Sequence, residues 1–167
     1  MSLEITRCED LESCMSSFFD QKYLNDYKVD GVPVRAYHQQ FIEKLPNILV
    51  LHLKRFVYRD RPIKMKEDIY FPEVLKIEDH YVSNQFKART GGSKGILNNN
   101  YQGREYRLYS VVNHRGVEAT KGHYVSWVLD SGNNWMLYDD EKVRKAHTKD
   151  SVLESEAYLI FYEKIVS

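Results

Sequence analysis

Four strand-like stretches crowd the C-terminal part of the chain, and they constrain its fold more than any other feature. YRLYSVVNH (106–114), HYVSWVL (123–129), WMLYD (135–139) and AYLIFYEKI (157–165) are dense in β-branched and aromatic residues and read as an antiparallel sheet. The strongest strand signal lies earlier, in NILVLHLKRFVY (47–58). There Leu49, Leu51 and Leu53 alternate with Val50 and His52 between Pro46 and the polar RDRP. Ahead of it, residues 9–25 place Leu11, Met15, Phe18 and Phe19 at helical spacing. The stretch that follows mixes turn signals, Asp30-Gly31 and Pro33, with short alternating pieces. A second short strand in IKMKEDIYFPEVLKI is broken by Pro72, and residues 78–103 lose all periodicity and read as a long loop. With no internal repeat and no linker, the expected fold is a single α+β domain over residues 1–167. It divides into a lead-in helix and strands (1–43) and a mainly antiparallel sheet region (44–163).

Composition narrows the function classes. Lysine plus arginine (24) equals aspartate plus glutamate (24), which points away from a nucleic-acid or membrane surface. No apolar run approaches the roughly 18 residues of a membrane span. The start MSLEITRCED has neither the basic nor the apolar region of a signal peptide. Cys8 and Cys14 are the two cysteines, and they form neither a CxxC pair nor a disulfide framework. The expected compartment is therefore reducing, cytoplasmic or nuclear. GGSKG within the long loop lacks the spacing of a phosphate loop.

The stretch GHYVSWVLDSGNNWMLYDD (122–140) carries the chemistry. A hairpin with DSGNN as its turn and Gly132 in a left-handed position pairs residue 123 with 139, if the turn centres on Ser131. His123 and Asp139 then share a face with Cβ atoms roughly 5 Å apart. A one-residue slip puts Asp140 there instead. A carboxylate beside an imidazole fixes its tautomer and stabilises its protonated form, the arrangement that activates a nucleophile. An ordinary cross-strand pair has the same residues. A metal site built from His114, His123, Asp139 and Asp140 is a weaker alternative, because no HxH or HExxH spacing is present.

Six motifs in order extend this reading: KLPNILVLHLKRF (44–56), FPEVL (71–75), YRLYSVVNHRG (106–116), GHYVSW (122–127), WMLYDDEKV (135–143) and AYLIFY (157–162). Together they resemble the C-terminal part of the catalytic domain of ubiquitin-specific proteases, which are papain-like cysteine proteases cutting after ubiquitin's C-terminal glycine. The resemblance implies that the sheet is the palm of that fold. It implies His123 as general base, Asp139 as orienting acid with Asp140 beside it, and Gly122 and Tyr124 along the channel for the ubiquitin tail. His114 is a structural or loop-positioning residue in this frame rather than a catalyst. The implied partners are ubiquitin, ubiquitinated proteins and a cysteine-bearing thumb half.

Two departures stand out. The cysteine box that supplies the nucleophile and oxyanion hole has no counterpart here, and neither Cys8 nor Cys14 is expected to replace it. The paired CxxC zinc site of the fingers is also absent, so no metal or other cofactor is expected. The chain is thus expected to be an inactive segment of a longer deubiquitinase. The alternative is a non-catalytic ubiquitin- or scaffold-binding module derived from one.

Overall fold

Alternation along the chain builds one sheet with one face turned to the main core. The computed structural model describes residues 1–89, 104–118, 121–146 and 148–166. Eight strands form the sheet: β1 (Ser2–Leu3), β2 (Ile48–Leu53), β3 (Val74–Lys76), β4 (Glu105–Arg115), β5 (His123–Leu129), β6 (Trp135–Asp139), β7 (Lys142–Lys145) and β8 (Ala157–Lys164). Their spatial order is β1-β2-β8-β4-β5-β6-β7, with β3 also paired to β4. Every pair is antiparallel except β1 with β2. In β2, Leu49, Leu51 and Leu53 point inward while Ile48 and Val50 are exposed. The core face gathers Leu51, Val111 and Ile160, and it continues through Val125 and Leu137. On the opposite face Val50, Tyr124 and Tyr138 are exposed.

Helix α1 (Leu11–Phe19) closes the core with Leu11, Cys14, Met15 and Phe19 buried. Asp10 caps it. Its Oδ1 accepts from the Ser13 amide at 2.7 Å, and the Ser13 hydroxyl returns to the Asp10 amide, a reciprocal box typically contributing about 1 kcal/mol. One core joins the lead-in to the rest, since Leu3, Ile5 and Leu11 lie in the same cluster as Leu53, Phe71 and Tyr162. Fully burying each such side chain contributes roughly 1.5–3 kcal/mol.

Several expectations change. The helix expected over 9–25 ends at Phe19, because Lys22–Leu24 pairs with Ala36–His38 as a ribbon. Asp30 and Gly31, both left-handed at φ 50° and 80°, turn the small hairpin Lys28–Val29/Val32–Pro33, as a two-residue type I′ loop requires. The single strand expected over 47–58 is two. Arg55 turns into the core, where its Nε donates to Ala157 O at 2.5 Å and its Nη1 to Glu67 O at 2.8 Å. Phe56–Arg59 then pairs with Arg61–Lys64 in a separate ribbon. Within the expected loop 78–103, Asp79–Tyr81 forms a 3-10 turn and α2 spans Asn84–Arg89; residues 90–103 lie outside the described ones. The short helix α3 (Asp150–Leu153) and strand β7 were not expected.

Candidate active site

Strand β5 begins with His123 and β6 ends with Asp139, at the same end of the hairpin. The observed register pairs Ser126 with Tyr138 and Leu129 with Trp135. Extended outward, it sets Asp139 opposite Val125 and leaves His123 one step diagonal. The direct 123–139 pairing expected from the sequence is therefore corrected by two residues. The turn is the cause. Asp130 Oδ1 accepts from the amides of Gly132 and Asn134, each at 2.8 Å, and Asp130 N donates to Asn134 O at 2.9 Å. The turn centre is thus Gly132 rather than Ser131, and the left-handed residue is Asn133 at φ 58° rather than Gly132. A shift of two preserves the face, and diagonal neighbours on one face remain within reach of long side chains.

The side chains meet. His123 Nε2 lies 2.6 Å from Asp139 Oδ1, and Asp140 Oδ2 stands 3.9 Å from the same nitrogen. Facing a carboxylate, Nε2 carries the proton and donates it, so the neutral ring keeps its lone pair on Nδ1. His123 is 41% exposed, Asp139 20% and Asp140 80%. Asp140 occupies the turn into β7 with a left-handed φ of 52°, which directs the chain back along β6. The hydrogen bond from His123 lowers the Asp139 pKa below its usual range, reinforced by the charges of His123, Arg115 and Arg144 and opposed by desolvation.

The sequence reading missed both arginines. Arg115 Nη1 donates to Asp139 Oδ2 at 3.1 Å, and Arg144 Nη2 reaches the same oxygen at 3.5 Å. Arg115 is directly opposite His123 in the β4–β5 register, so the signal was present once that register is known. The ligand atoms of His123, Asp139 and Asp140 lie within 4.8 Å of one another. His114 is not among them, since strand alternation puts it on the other face. With two guanidinium groups on Asp139, the set suits an ion pair better than a bound cation.

His114 and Gly122 form a second contact beneath the dyad. A Cβ on Gly122 would lie 2.0 Å from His114 Nε2 and 2.7 Å from Arg115 O. Only glycine admits the ring there, so the residue before His123 is fixed by packing. His114 is buried, and desolvation lowers its pKa, with the Lys64 charge adding to the effect. Lys64 Nζ donates to His114 O at 2.6 Å and Gly116 O at 3.1 Å, and pairs with Glu156 at 2.9 Å. Tyr124, 52% exposed, packs its ring against His114 and Tyr158 at centroid distances of 4.9 and 5.9 Å. Cys14 is 0% exposed and burial pushes its thiol pKa up. Cys8 is partly buried, its Sγ directed to the carbonyls of Glu4 and Thr6.

Comparison with known proteins shows the family. A family model described as ubiquitin carboxyl-terminal hydrolase matches residues 3–162. Ubiquitin carboxyl-terminal hydrolase 10 of Rattus norvegicus is 35% identical over 162 residues, covering 93% of this chain and 19% of the relative. Ubiquitin carboxyl-terminal hydrolase 8 of Saccharomyces cerevisiae is 31% identical over 171 residues, covering 97% and 34%. The chain thus spans about a fifth to a third of the length of these relatives. Among solved structures, the yeast SAGA DUB module superposes with a TM-score of 0.80 at 29% identity, over 98% of this chain and 34% of that one. A Ubp8/Sgf11/Sus1/Sgf73 module bound to monoubiquitin gives the same values. The chain belongs to the ubiquitin carboxyl-terminal hydrolase family and has the papain-like fold of its ubiquitin-specific proteases, here mainly as antiparallel sheet.

Proposed function

We propose that this chain is the histidine-bearing part of a deubiquitinating thiol hydrolase, with a palm over residues 44–163 entered through residues 1–43. The observation that carries the reading is the 2.6 Å contact of His123 Nε2 with Asp139 on an accessible sheet end. In that arrangement Nδ1 is the basic nitrogen. It takes the proton from a cysteine thiol and later returns it to the leaving amine, while Asp139 holds the ring and stabilises the imidazolium. The thiolate attacks the carbonyl of ubiquitin's C-terminal glycine. Asp140 adds negative charge beside the ring, and Gly122 and Tyr124 line the approach of the ubiquitin tail.

The nucleophile comes from a separate cysteine-bearing thumb half. Cys14 is sealed in the core and no described hydrogen bond or ion pair joins Cys8 or Cys14 to His123. Losing a triad nucleophile typically costs about six orders of magnitude in kcat, so the chain alone is inactive. The chemistry needs no cofactor, and a free thiol nucleophile fits the cytoplasm or nucleus. The relatives' solved assemblies support ubiquitin as partner, since one holds monoubiquitin and another ubiquitin aldehyde.

Mixing or co-expressing the chain with the cysteine-side half of a family member, and following cleavage of a ubiquitin C-terminal amide, tests the proposal. Cleavage that appears with the mixture and disappears with His123→Ala supports it. A complex that assembles on ubiquitin without cleaving it makes the chain a binding module instead.

A further inference from the structure

Asp139 has two oxygens, and they have different partners. Oδ1 faces His123 Nε2 at 2.6 Å, whereas Oδ2 faces Arg115 Nη1 at 3.1 Å and Arg144 Nη2 at 3.5 Å. The two guanidinium groups come from opposite sides of the hairpin, Arg115 from β4 and Arg144 from β7. The carboxylate is thereby held across three adjacent strand pairings. A carboxylate left to the histidine alone rotates about its Cα–Cβ and Cβ–Cγ bonds. One pinned at the far oxygen presents the near oxygen at a fixed angle.

We propose that Arg115 and Arg144 are positioning residues for the His123–Asp139 pair: they hold Asp139 by Oδ2 so that Oδ1 stays on Nε2. The inference rests on the functional reading above for its meaning in turnover, although its structural content concerns the pair alone. Both arginines are about half exposed at the side chain, 51% and 62%, so water screens them and each exerts a modest pull.

Charges facing His123 come from every neighbouring element. Asp139 and Asp140 bring negative charge to the ring nitrogen, and Arg115 and Arg144 bring positive charge to Asp139. Lys142 shares the face of Asp139 through their register pairing. Lys121 pairs with Glu118 at 3.9 Å just before Gly122.

The test reads His123 directly, with nitrogen-15 NMR of the ring in the intact chain. In Arg115→Gln/Arg144→Gln the charged donors on Oδ2 are gone and Asp139 is free to rotate. The Nε2 proton exchanges faster with water because the acceptor is no longer held. In Arg115→Lys/Arg144→Lys the charges remain but exchange still quickens, because an ammonium lacks the planar fork. Unchanged Nε2 exchange in the double glutamine variant overturns the proposal. Backbone amide dispersion checks that the variants fold, and the single glutamine variants carry the same test if the double one does not. No nucleophile enters this measurement, so a failure to restore cleavage with a cysteine-bearing half leaves it standing, and its own failure leaves that reading standing.

Discussion

Two pairs of basic residues serve the sheet in opposite ways. Arg55 and Lys64 are buried and spend their donors mostly on neutral carbonyls, those of Ala157, Met65 and Glu67 for Arg55 and of His114 and Gly116 for Lys64. Arg115 and Arg144 stand in water and meet a charged carboxylate. Burial lowers the Arg55 pKa, an effect that Glu156, Glu67 and Asp68 oppose. The inner pair therefore fixes backbone, because removing a buried donor strands carbonyls without water. The outer pair holds the carboxylate beside His123, where water weakens each contact. Rigid support and adjustable chemistry are divided between depth and surface.

The widest test of that division is stability. Arg55→Met leaves the carbonyls of Ala157, Met65 and Glu67 unpaired in the core and should cost about 3–5 kcal/mol in urea unfolding. Arg144→Gln should cost under about 1 kcal/mol in the same measurement. Equal costs would break the comparison. A middle effect comes from the joint between the two regions. Gly122→Ala drives a methyl to 2.0 Å from His114 Nε2 and 2.7 Å from Arg115 O, a backbone atom that cannot swing aside. A loss of about 1–3 kcal/mol is expected, together with displacement of the His123 ring signals. Unmoved signals would show that the inner wedge does not position the dyad.

The smallest effect at neutral pH is visible only at its extremes. Tyr106, whose hydroxyl donates to Pro46 O at 2.6 Å, has its pKa pushed up to about 12 by burial. Its contribution is present below the unfolded value near 10 and is lost as pH rises from there through about 12. Asp139 has a depressed pKa, so its contribution is present above the ordinary value of 3.8 and is lost as pH falls through the folded one. Tyr106→Phe should flatten the alkaline limb of a stability-against-pH curve, and Asp139→Asn part of the acid limb. The inner region thus governs one end of the pH range and the outer dyad contributes to the other.

Much of this was legible in the residues. HYVSWVL and WMLYD gave β5 and β6 with their observed bounds, because alternation on a half-buried sheet leaves a period of two. Strand β7 left no such trace. Lys142, Val143, Arg144 and Lys145 are all exposed at the sheet edge, so burial never patterned them. The break at Arg55 was also hidden, since its cause is a tertiary appetite for the carbonyl of a residue 102 positions away. At the candidate site, the shared face of His123 and Asp139 followed from parity, which survives a slip of two. The register itself did not, because the Asp130 carboxylate wraps its own turn and moves the centre by one residue. Arg115 and Arg144 could be found only after strand pairing was known.

Strand β8 lies between β2 and β4, although it follows both in the chain. During synthesis from the N-terminus, the ribosome therefore exposes β2 and β4 well before the strand that joins them exists. Leu49 and Leu51 on one side, and Leu108 and Val111 on the other, wait for Ile160 and Tyr162. Such late, long-range closure is slow and leaves apolar edges open to capture. The facing edges of β2 and β4 thus stay unpaired until β8 forms between them. A stop codon placed just before Ala157 would open two interfaces at once, leaving β1 and β2 with no strand pairing to the rest of the sheet among the described residues.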